Sequence, residues 1–332
     1  MTSTEPTPTH AADPADAAPL GSTEWIVTGA LERIAAGYVF PEKVPAVETA
    51  LRAALAAGAY AGLDGPELCA RVTADLQGAC PDPHLRLLWS EDPQPVEPAD
   101  GADDGAAAFR ALLRAENQGV RRVEHLPGNI GLIALGRIAD ADAPGSAAIG
   151  AAFRLVADTE GLVLDLRDCL GGIPEGAALW VGHFFGADEP THLHDIHHRL
   201  TDTTVSYHTA ADLPGPRYLG RPVRVLTGPV TFSGGEDVAY TLQSHKRALV
   251  VGAPSRGGAH PTVRHPLTPH VMVTVPVARS ISAVTGGNWE GTGVLPDLPI
   301  APEEALSAAL DSIRADLDAA RDAARDAAPR TP

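Results

Sequence analysis

The segment "VRVLTGPVTFSGGEDVAY" (residues 223–240) contains the pattern that decides how this chain folds. An apolar-leaning run, Val223–Thr227, leads to a turn signal at Gly228, and a helical pattern then starts at two glycines. This order predicts a strand, a turn and a helix, with Ser233 at the junction. Ser233 can cap the helix, because Glu236 completes a capping-box pattern, or it can be a nucleophile beside the N–H groups of the helix start. The segment alone leaves both interpretations open.

Strand and helix patterns alternate on both sides of this segment. Such alternation predicts an α/β fold, in which helices connect the strands of a layered sheet. A pattern rich in Ala, Asp and Arg predicts a final helix at about residues 302–327. The predicted strands are residues 131–138, 161–167, 223–228, 248–252 and 270–278, and the predicted helices are residues 147–157, 174–185 and 234–244.

The start of the chain differs from the rest in composition and in hydrophobic pattern. Residues 1–22 are rich in Pro, Thr, Ala and Asp without periodicity, which predicts a disordered leader. Apolar spacing in residues 23–37, 42–57 and 65–76 predicts three helices in a small bundle, and "PDPHLRLLW" (81–89) is strand-like. We therefore predict three parts, which are a leader (1–22), an N-terminal helical subdomain (23–80) and an α/β domain with a C-terminal helix (81–332).

Composition and charge exclude several classes of protein. The chain has 332 residues and a formal net charge of -17, so it would repel a nucleic acid backbone. The first residues lack the basic and apolar regions of a signal peptide, and no run approaches the ~20 apolar residues of a membrane span. The three cysteines have neither disulfide-framework nor metal-site spacing. These features predict a soluble cytoplasmic protein without nucleic acid or membrane partners.

Four further segments carry candidate chemistry. His84 precedes a strand-like run, and Glu290 lies in the Gly-rich loop "GGNWEGTGVLPD" (286–297). In "GLVLDLRDCLGG" (161–172), the glycines can supply N–H donors to an oxyanion or can simply form a tight turn. The histidine-rich segment "THLHDIHHRL" (191–200) is typical of a polar strand face rather than of a metal site. A lone histidine and a loop glutamate are each more often structural than catalytic.

The order of these segments resembles the tail-specific, carboxy-terminal-processing protease superfamily. More narrowly, the segments resemble the branch of this superfamily that has interphotoreceptor retinoid-binding protein modules. The resemblance runs from about residue 23 to residue 311. It is carried by four stretches in order, which are "LPGNIGLIAL" (126–135), "GLVLDLRDCLGGIPEGAALWVGHFF" (161–185), the run from residue 223 to residue 261, and "NWEGTGVLPD" (288–297). The resemblance implies a β-β-α spiral domain, related to the ClpP and crotonase folds, after a helical subdomain.

The same resemblance implies the catalytic residues. Ser233 matches the nucleophile, and Gly234 with Gly171 or Gly172 matches the oxyanion donors. In the serine-lysine form of the superfamily a lysine follows in the segment that matches "GAPSRGGAH" (252–260), where this chain has Arg256, which cannot act as a neutral base. In the form that resembles the tricorn core protease, a histidine and a glutamate match His84 and Glu290.

These matches predict a serine peptidase that uses an acyl-enzyme, with His84 as base and Glu290 as its supporting carboxylate. Neither a metal nor an organic cofactor is expected, and the predicted partner is a peptide or protein substrate. Residues 79–125 are too few for the PDZ domain that is typical of the superfamily. Two alternatives stay open, which are a carrier of a hydrophobic small molecule, such as a retinoid or fatty acid, and a specialised biosynthetic acyl-transfer enzyme.

Overall fold

A computed structural model describes residues 21–94 and 104–327, as a mixed α/β protein in which an N-terminal domain precedes the main sheet. The predicted leader at residues 1–22 lies outside this part of the chain except for its last two residues. In chain order the described helices are α1 (Thr23–Gly37), α2 (Val44–Ala56), α3 (Gly65–Ala79), α4 (Asp104–Ala115), α5 (Ala143–Leu155), α6 (Pro174–Gly182), α7 (Gly234–Ser244) and α8 (Ala305–Ala327). The strands are β1 (Arg86–Trp89), β2 (Val120–Leu126), β3 (Ile130–Leu135), β4 (Gly161–Asp165), β5 (His192–His198), β6 (Thr203–His208), β7 (Val223–Thr227), β8 (Leu249–Gly252), β9 (Thr262–Pro266), β10 (Val271–Pro276), β11 (Ala278–Ser282) and β12 (Leu298–Pro299).

The N-terminal helices begin at local capping residues. The Ser22 hydroxyl accepts a hydrogen bond from the Trp25 N–H at the start of α1, and the Asp64 carboxylate accepts one from the Glu67 N–H at the start of α3. Such caps contribute about 1 kcal/mol each. Because these signals are local, the predicted start of both helices agrees with the structure.

The three N-terminal helices share one hydrophobic core with a sheet. Their apolar faces pack against the antiparallel sheet β1-β10-β9, whose strands come from opposite ends of the sequence. Leu85, Val273 and Val275 are fully buried in this shared core. The boundary predicted at residue 80 therefore falls inside a continuous packing unit, since β1 follows α3 and lies directly on the bundle.

The six-stranded sheet has the order β12-β8-β7-β4-β3-β2. Strands β3, β4, β7, β8 and β12 are parallel, and β2 pairs antiparallel with β3. Strands β4 and β7 are buried along their whole length, which is typical of a parallel strand covered on both faces. Because parallel strands end at the same edge of a sheet, the turns after β4 and β7 lie next to each other.

A third, antiparallel sheet, β11-β5-β6, contains the histidine-rich segment as strand β5. The C-terminal helix α8 packs on the six-stranded sheet through Ala305, Ala309 and Ile313. None of the helices in the described part of the chain combines the length and the apolar character that a bilayer crossing requires.

Candidate active site

Ser233 occupies a strained backbone position at the start of α7. Its φ is 49° and its ψ is -119°, which places a residue with a β-carbon in a region that favours glycine. Strain of this kind costs about 1–3 kcal/mol and persists only where the surroundings enforce it. We call residues 228–233, which connect β7 to α7, the serine turn.

Glu236 is the residue that enforces this geometry. Its carboxylate is fully buried and accepts hydrogen bonds from the N–H groups of Ser233 (2.7 Å), Gly257 (2.6 Å) and Gly258 (2.9 Å) and from the Ser255 hydroxyl (2.6 Å). Burial raises the pKa of Glu236, and these four donors oppose that increase. The capping-box pattern pointed to Glu236 only as a partner of Ser233. Its contacts with residues 255–258 are not visible in the sequence because they join distant segments.

The turn after β4, residues 166–173, which we call the glycine turn, lies directly against the serine turn. The Phe232 N–H donates to the Cys169 carbonyl (2.9 Å), and a β-carbon added to Gly171 would come within 2.7 Å of the Ser233 β-carbon. Gly171 has a φ of 88°. The structure therefore brings the predicted nucleophile and the predicted glycine donors together.

Cys169 is buried in the glycine turn and does not have the properties of a nucleophile. Burial raises the pKa of its thiol to about 12, against the opposing effect of a hydrogen bond from the Gly171 N–H. A thiol with that pKa stays protonated and unreactive at neutral pH. Gly172 lies against the start of α7, since a β-carbon added to Gly234 would come within 3.0 Å of the Gly172 nitrogen.

His84 lies against the residue that precedes Ser233. Its ring stacks on the Phe232 ring, with 4.3 Å between the ring centroids, and its Nδ1 is buried without a hydrogen-bond partner in the described residues. Burial lowers the pKa of His84 to about 3, although the charge of Asp82 opposes that shift. The imidazole is consequently neutral at ordinary pH, which is the form that can accept a proton.

Glu290 contacts a different histidine. Its Oε2 accepts a hydrogen bond from the Ala259 N–H (2.6 Å) and lies 3.4 Å from Nδ1 of His260. Burial, together with the charge of Asp82, raises the pKa of Glu290 to about 8. Within the described residues, the His84 ring is hydrogen-bonded neither to Glu290 nor to the Ser233 hydroxyl.

Asp82 connects the two histidines. Its Oδ1 accepts a hydrogen bond from the His84 backbone N–H (3.0 Å), while its Oδ2 lies 2.9 Å from Nδ1 of His260 and accepts from the Tyr38 hydroxyl at 3.1 Å. Burial would raise the pKa of Asp82, but these hydrogen bonds and the charge of His260 hold it below its usual value. Sequence reasoning missed Asp82 and His260. The spacing of Asp82 two residues before His84 was the available signal, and His260 had none.

Asp82, His260 and Glu290 could also hold a metal ion, since each offers one ligand atom and these atoms lie within 4.8 Å of one another. The histidines of β5 do not converge in this way. His192 pairs with Asp195 (2.8 Å) and His194 with Asp237 (3.3 Å), so they have separate carboxylate partners.

The sequence model of peptidase family S41 matches residues 129–300, which is more than half of the 332 residues. The chain belongs to peptidase family S41. A second model, for the N-terminal domain of peptidase S41 in eukaryotic IRBP, matches residues 21–123. Membership of S41 confirms the predicted resemblance and makes the protein a serine-type peptidase.

Three solved structures share the S41 fold of this chain. A lipoprotein from Streptococcus agalactiae is 13% identical, with a TM-score of 0.56 over 93% of this chain and 100% of its own. A candidate peptidase from Parabacteroides merdae is 17% identical, with a TM-score of 0.55 over 85% of this chain and 90% of its own. The tricorn protease is 13% identical, with a TM-score of 0.56 over 90% of this chain, which spans only 37% of that protein.

Proposed function

We propose that Ser233 is the nucleophile of this peptidase, that His84 is its general base, and that the N–H groups of Gly234 and Gly172 bind the oxyanion. The observation that carries the proposal is the strained Ser233 at the N-terminus of α7, packed against the glycine turn. A helix start and a glycine turn both present N–H groups to developing negative charge. Functional sites are where backbone strain is retained.

In the proposed reaction, Oγ of Ser233 attacks the peptide carbonyl while His84 takes the hydroxyl proton. The C–N bond then breaks, and His84 returns the proton to the leaving amine. Water hydrolyses the acyl-enzyme by the same route in reverse. His84 takes a proton from Ser233 and gives it to the leaving amine, then takes a proton from water and gives it back to Ser233, so the protons balance with the peptide and one water as reactants.

Glu290 acts on His84 indirectly in this proposal. Asp82 is the carboxylate whose charge is felt by the His84 ring, and it also holds the His84 backbone. Glu290 lies behind it, linked through His260. We propose that this chain of buried groups stabilises the imidazolium that forms when His84 accepts the proton.

The proposed substrate is a peptide or protein that is selected without a PDZ domain, on a β-β-α spiral scaffold. The parallel sheet with its added helices and hairpin strands supports the spiral interpretation. A cavity of about 360 Å³ beside Glu290 is lined by polar side chains such as Lys43, Arg279 and Asn288 together with Phe40 and Ile281, a mixture that suits a peptide better than a retinoid. The retinoid-binding alternative therefore has no support from this cavity. A cytoplasmic location stays a prediction from the sequence.

Labelling with a fluorophosphonate probe tests the catalytic assignment. We expect wild type to be labelled, Ser233→Ala to lose labelling, and His84→Ala to be labelled at least ~10²-fold more slowly, because general-base catalysis contributes that much. Ser244→Ala is the matched control, since Ser244 lies at the other end of α7. Equal labelling of wild type, Ser233→Ala and His84→Ala would contradict the proposal.

A further inference from the structure

Three side chains from distant segments of the chain meet at Asp82. Asp82 precedes β1, His260 lies in the connection between β8 and β9, and Glu290 lies in the connection between β11 and β12. Each offers one ligand atom, and these atoms lie within 4.8 Å of one another. Asp82 and His260 are only 2% and 3% exposed. One imidazole and two carboxylates that converge inside a protein form a donor set that suits a transition-metal ion.

The spacing of the ligand atoms is close to that of a zinc site. Nδ1 of His260 lies 2.9 Å from Oδ2 of Asp82 and 3.4 Å from Oε2 of Glu290. In a tetrahedral site with metal–ligand bonds of about 2.0–2.1 Å, neighbouring ligand atoms are about 3.3–3.4 Å apart. A single ion therefore fits among the three groups after small adjustments of the side chains.

The two carboxylates have no permanent positive charge paired with them. Within residues 21–94 and 104–327, Asp82 and Glu290 form ion pairs with His260 but with no lysine or arginine. Oε1 of Glu290 is buried and has no hydrogen-bond partner in the same ranges. Because two carboxylates this close repel each other, a divalent cation would stabilise the cluster.

Hydrogen bonds from outside the cluster orient both carboxylates. Asp82 accepts from the His84 N–H (3.0 Å) and from the Tyr38 hydroxyl (3.1 Å), and Glu290 accepts from the Ala259 N–H (2.6 Å). The ligands of metal sites in proteins are held by an outer layer of hydrogen bonds of this kind. The cluster therefore has the two layers of a metal site, which are the ligands and the groups that hold them.

An ion can reach the cluster from the cavity of about 360 Å³, because His260 and Glu290 line it. The cavity also leaves room for the water molecule that completes a three-ligand zinc site. Coordination uses the lone pair of His260 Nδ1, so the imidazole proton moves to Nε2. Lys43 and Arg279 line the same cavity and oppose the entry of a cation, so the affinity must come from the three ligands.

We propose that Asp82, His260 and Glu290 form a site for one Zn²⁺ ion, which joins the connections at residues 253–261 and 283–297 to the start of β1. The ion is not a reactant in the proposed peptidase reaction. The sequence predicted no metal, because Asp82 and His260 are 178 positions apart and lie in segments without metal-site spacing.

Zinc binding has one consequence that rests on the proposed function. In the proposed reaction, the negative charge of Asp82 and Glu290 supports His84. An ion that neutralises this charge competes with that support. The zinc-bound form should therefore react more slowly at Ser233 than the metal-free form.

Titration of the full-length protein with Zn²⁺, in competition with a chromophoric zinc indicator, tests the site after treatment with EDTA. We expect wild type to bind one Zn²⁺ tightly, and His260→Ala and Glu290→Gln each to bind it at least ~10²-fold more weakly. Tyr38→Phe keeps all three ligands but loses an outer hydrogen bond, which typically costs about 10- to 100-fold in affinity. His192→Ala is the matched control, because it removes the histidine of a separate His–Asp pair and should keep full affinity.

Two further measurements guard against variants that fail to fold. Circular dichroism in EDTA shows whether each variant is folded. Co²⁺ in a tetrahedral site absorbs strongly in the visible region, so the Co²⁺ bands should be present in wild type and His192→Ala and absent from His260→Ala. Zinc affinity that is equal in wild type, His260→Ala and Glu290→Gln would overturn the site, as would the absence of tight binding by wild type.

Fluorophosphonate labelling with EDTA and with Zn²⁺ separates this site from the proposed function. Slower labelling of Ser233 with Zn²⁺ in wild type, but not in His260→Ala, would support the competition between zinc and the support of His84. Equal labelling in both conditions, with zinc shown to be bound, would overturn that competition and leave the site intact. Absence of labelling at Ser233 in both conditions would overturn the nucleophile, while the zinc titration would still decide the metal site.

Discussion

Two turns at the same edge of the six-stranded sheet, the glycine turn after β4 and the serine turn after β7, both contain a residue with positive φ. In the glycine turn Gly171 and Gly172 both have positive φ, and glycine adopts this conformation without strain. In the serine turn the residue with positive φ is Ser233, which adopts it at a cost of about 1–3 kcal/mol. The difference indicates that a side chain is needed in one turn and must be absent from the other. A hydroxyl opposite bare N–H groups is the arrangement that acyl transfer requires.

The largest expected effect comes from making the serine turn resemble the glycine turn. Ser233→Gly should lower kcat/KM by about 10⁴-fold or more, because the nucleophile is lost. It should also be about 1 kcal/mol more stable than Ser233→Ala, because only glycine relieves the strain. Activity assays and urea denaturation measure the two effects. At Ser244, the last residue of α7, the order of the Gly and Ala variants should be reversed. The same order at both positions would contradict the strain argument.

A smaller effect is expected when the glycine turn is made to resemble the serine turn. Gly171→Ala places a β-carbon within 2.7 Å of the Ser233 β-carbon and of the Phe232 carbonyl oxygen, so Ser233 must shift. A displacement of about 1 Å in a catalytic group lowers the rate by about 10²-fold. Gly220→Ala is the matched control, because Gly220 also has a positive φ (68°) but has nothing within 4 Å of an added β-carbon. Equal activity of the two variants would show that the geometry of the glycine turn does not contribute to catalysis.

An effect on stability rather than on activity is expected at the loop that holds the serine turn in place. Glu290 binds this loop through the Ala259 N–H, and burial with the charge of Asp82 raises its pKa from 4.5 to about 8. Between these values the folded protein keeps a proton that the unfolded chain has lost. Stability should therefore fall as the pH rises from 4.5 to 8, by up to about 1.4 kcal/mol per pH unit.

Glu290→Gln should remove this part of the pH dependence, because glutamine does not titrate. Urea denaturation at pH 5 and pH 8 measures it, with the exposed Glu303→Gln as control. An identical loss of stability in Glu290→Gln and wild type between these pH values would show that Glu290 ionises normally in the folded protein.

The sequence was most informative where the determinants are local. The bounds of α1 and α7 agree with the structure because a capping residue or a glycine pair marks their start. Strands β11 and β12 were missed as separate elements because their pairing partners, β5 and β8, are distant in the chain. A run that includes proline and arginine, such as β9, has no strand signal of its own.

In the candidate site too, local features were predictable from the sequence and contacts between distant segments were not. Ser233, Gly171 and Gly172 lie in local patterns, and the structure places them together. The pairing of Asp82 with His260 joins residues 178 positions apart, and neither residue type is unusual in its own segment. The link from Glu290 to His84 was expected to be direct, whereas the structure inserts Asp82 and His260 between them. The catalytic roles of Ser233, His84 and Glu290 stay predictions, as do the oxyanion roles of the glycines Gly234, Gly171 and Gly172.

A crystal structure of the enzyme with a phosphonate bound to Ser233 would test most directly whether the two turns form one catalytic unit. The phosphonyl oxygen stands in for the oxyanion of the acyl-transfer reaction. We predict that phosphorus is bonded to Oγ of Ser233 and that this oxygen lies about 2.7–3.1 Å from the backbone nitrogens of both Gly234 and Gly172. A phosphonyl oxygen that points to solvent, or phosphorus bonded to a different residue, would contradict the account.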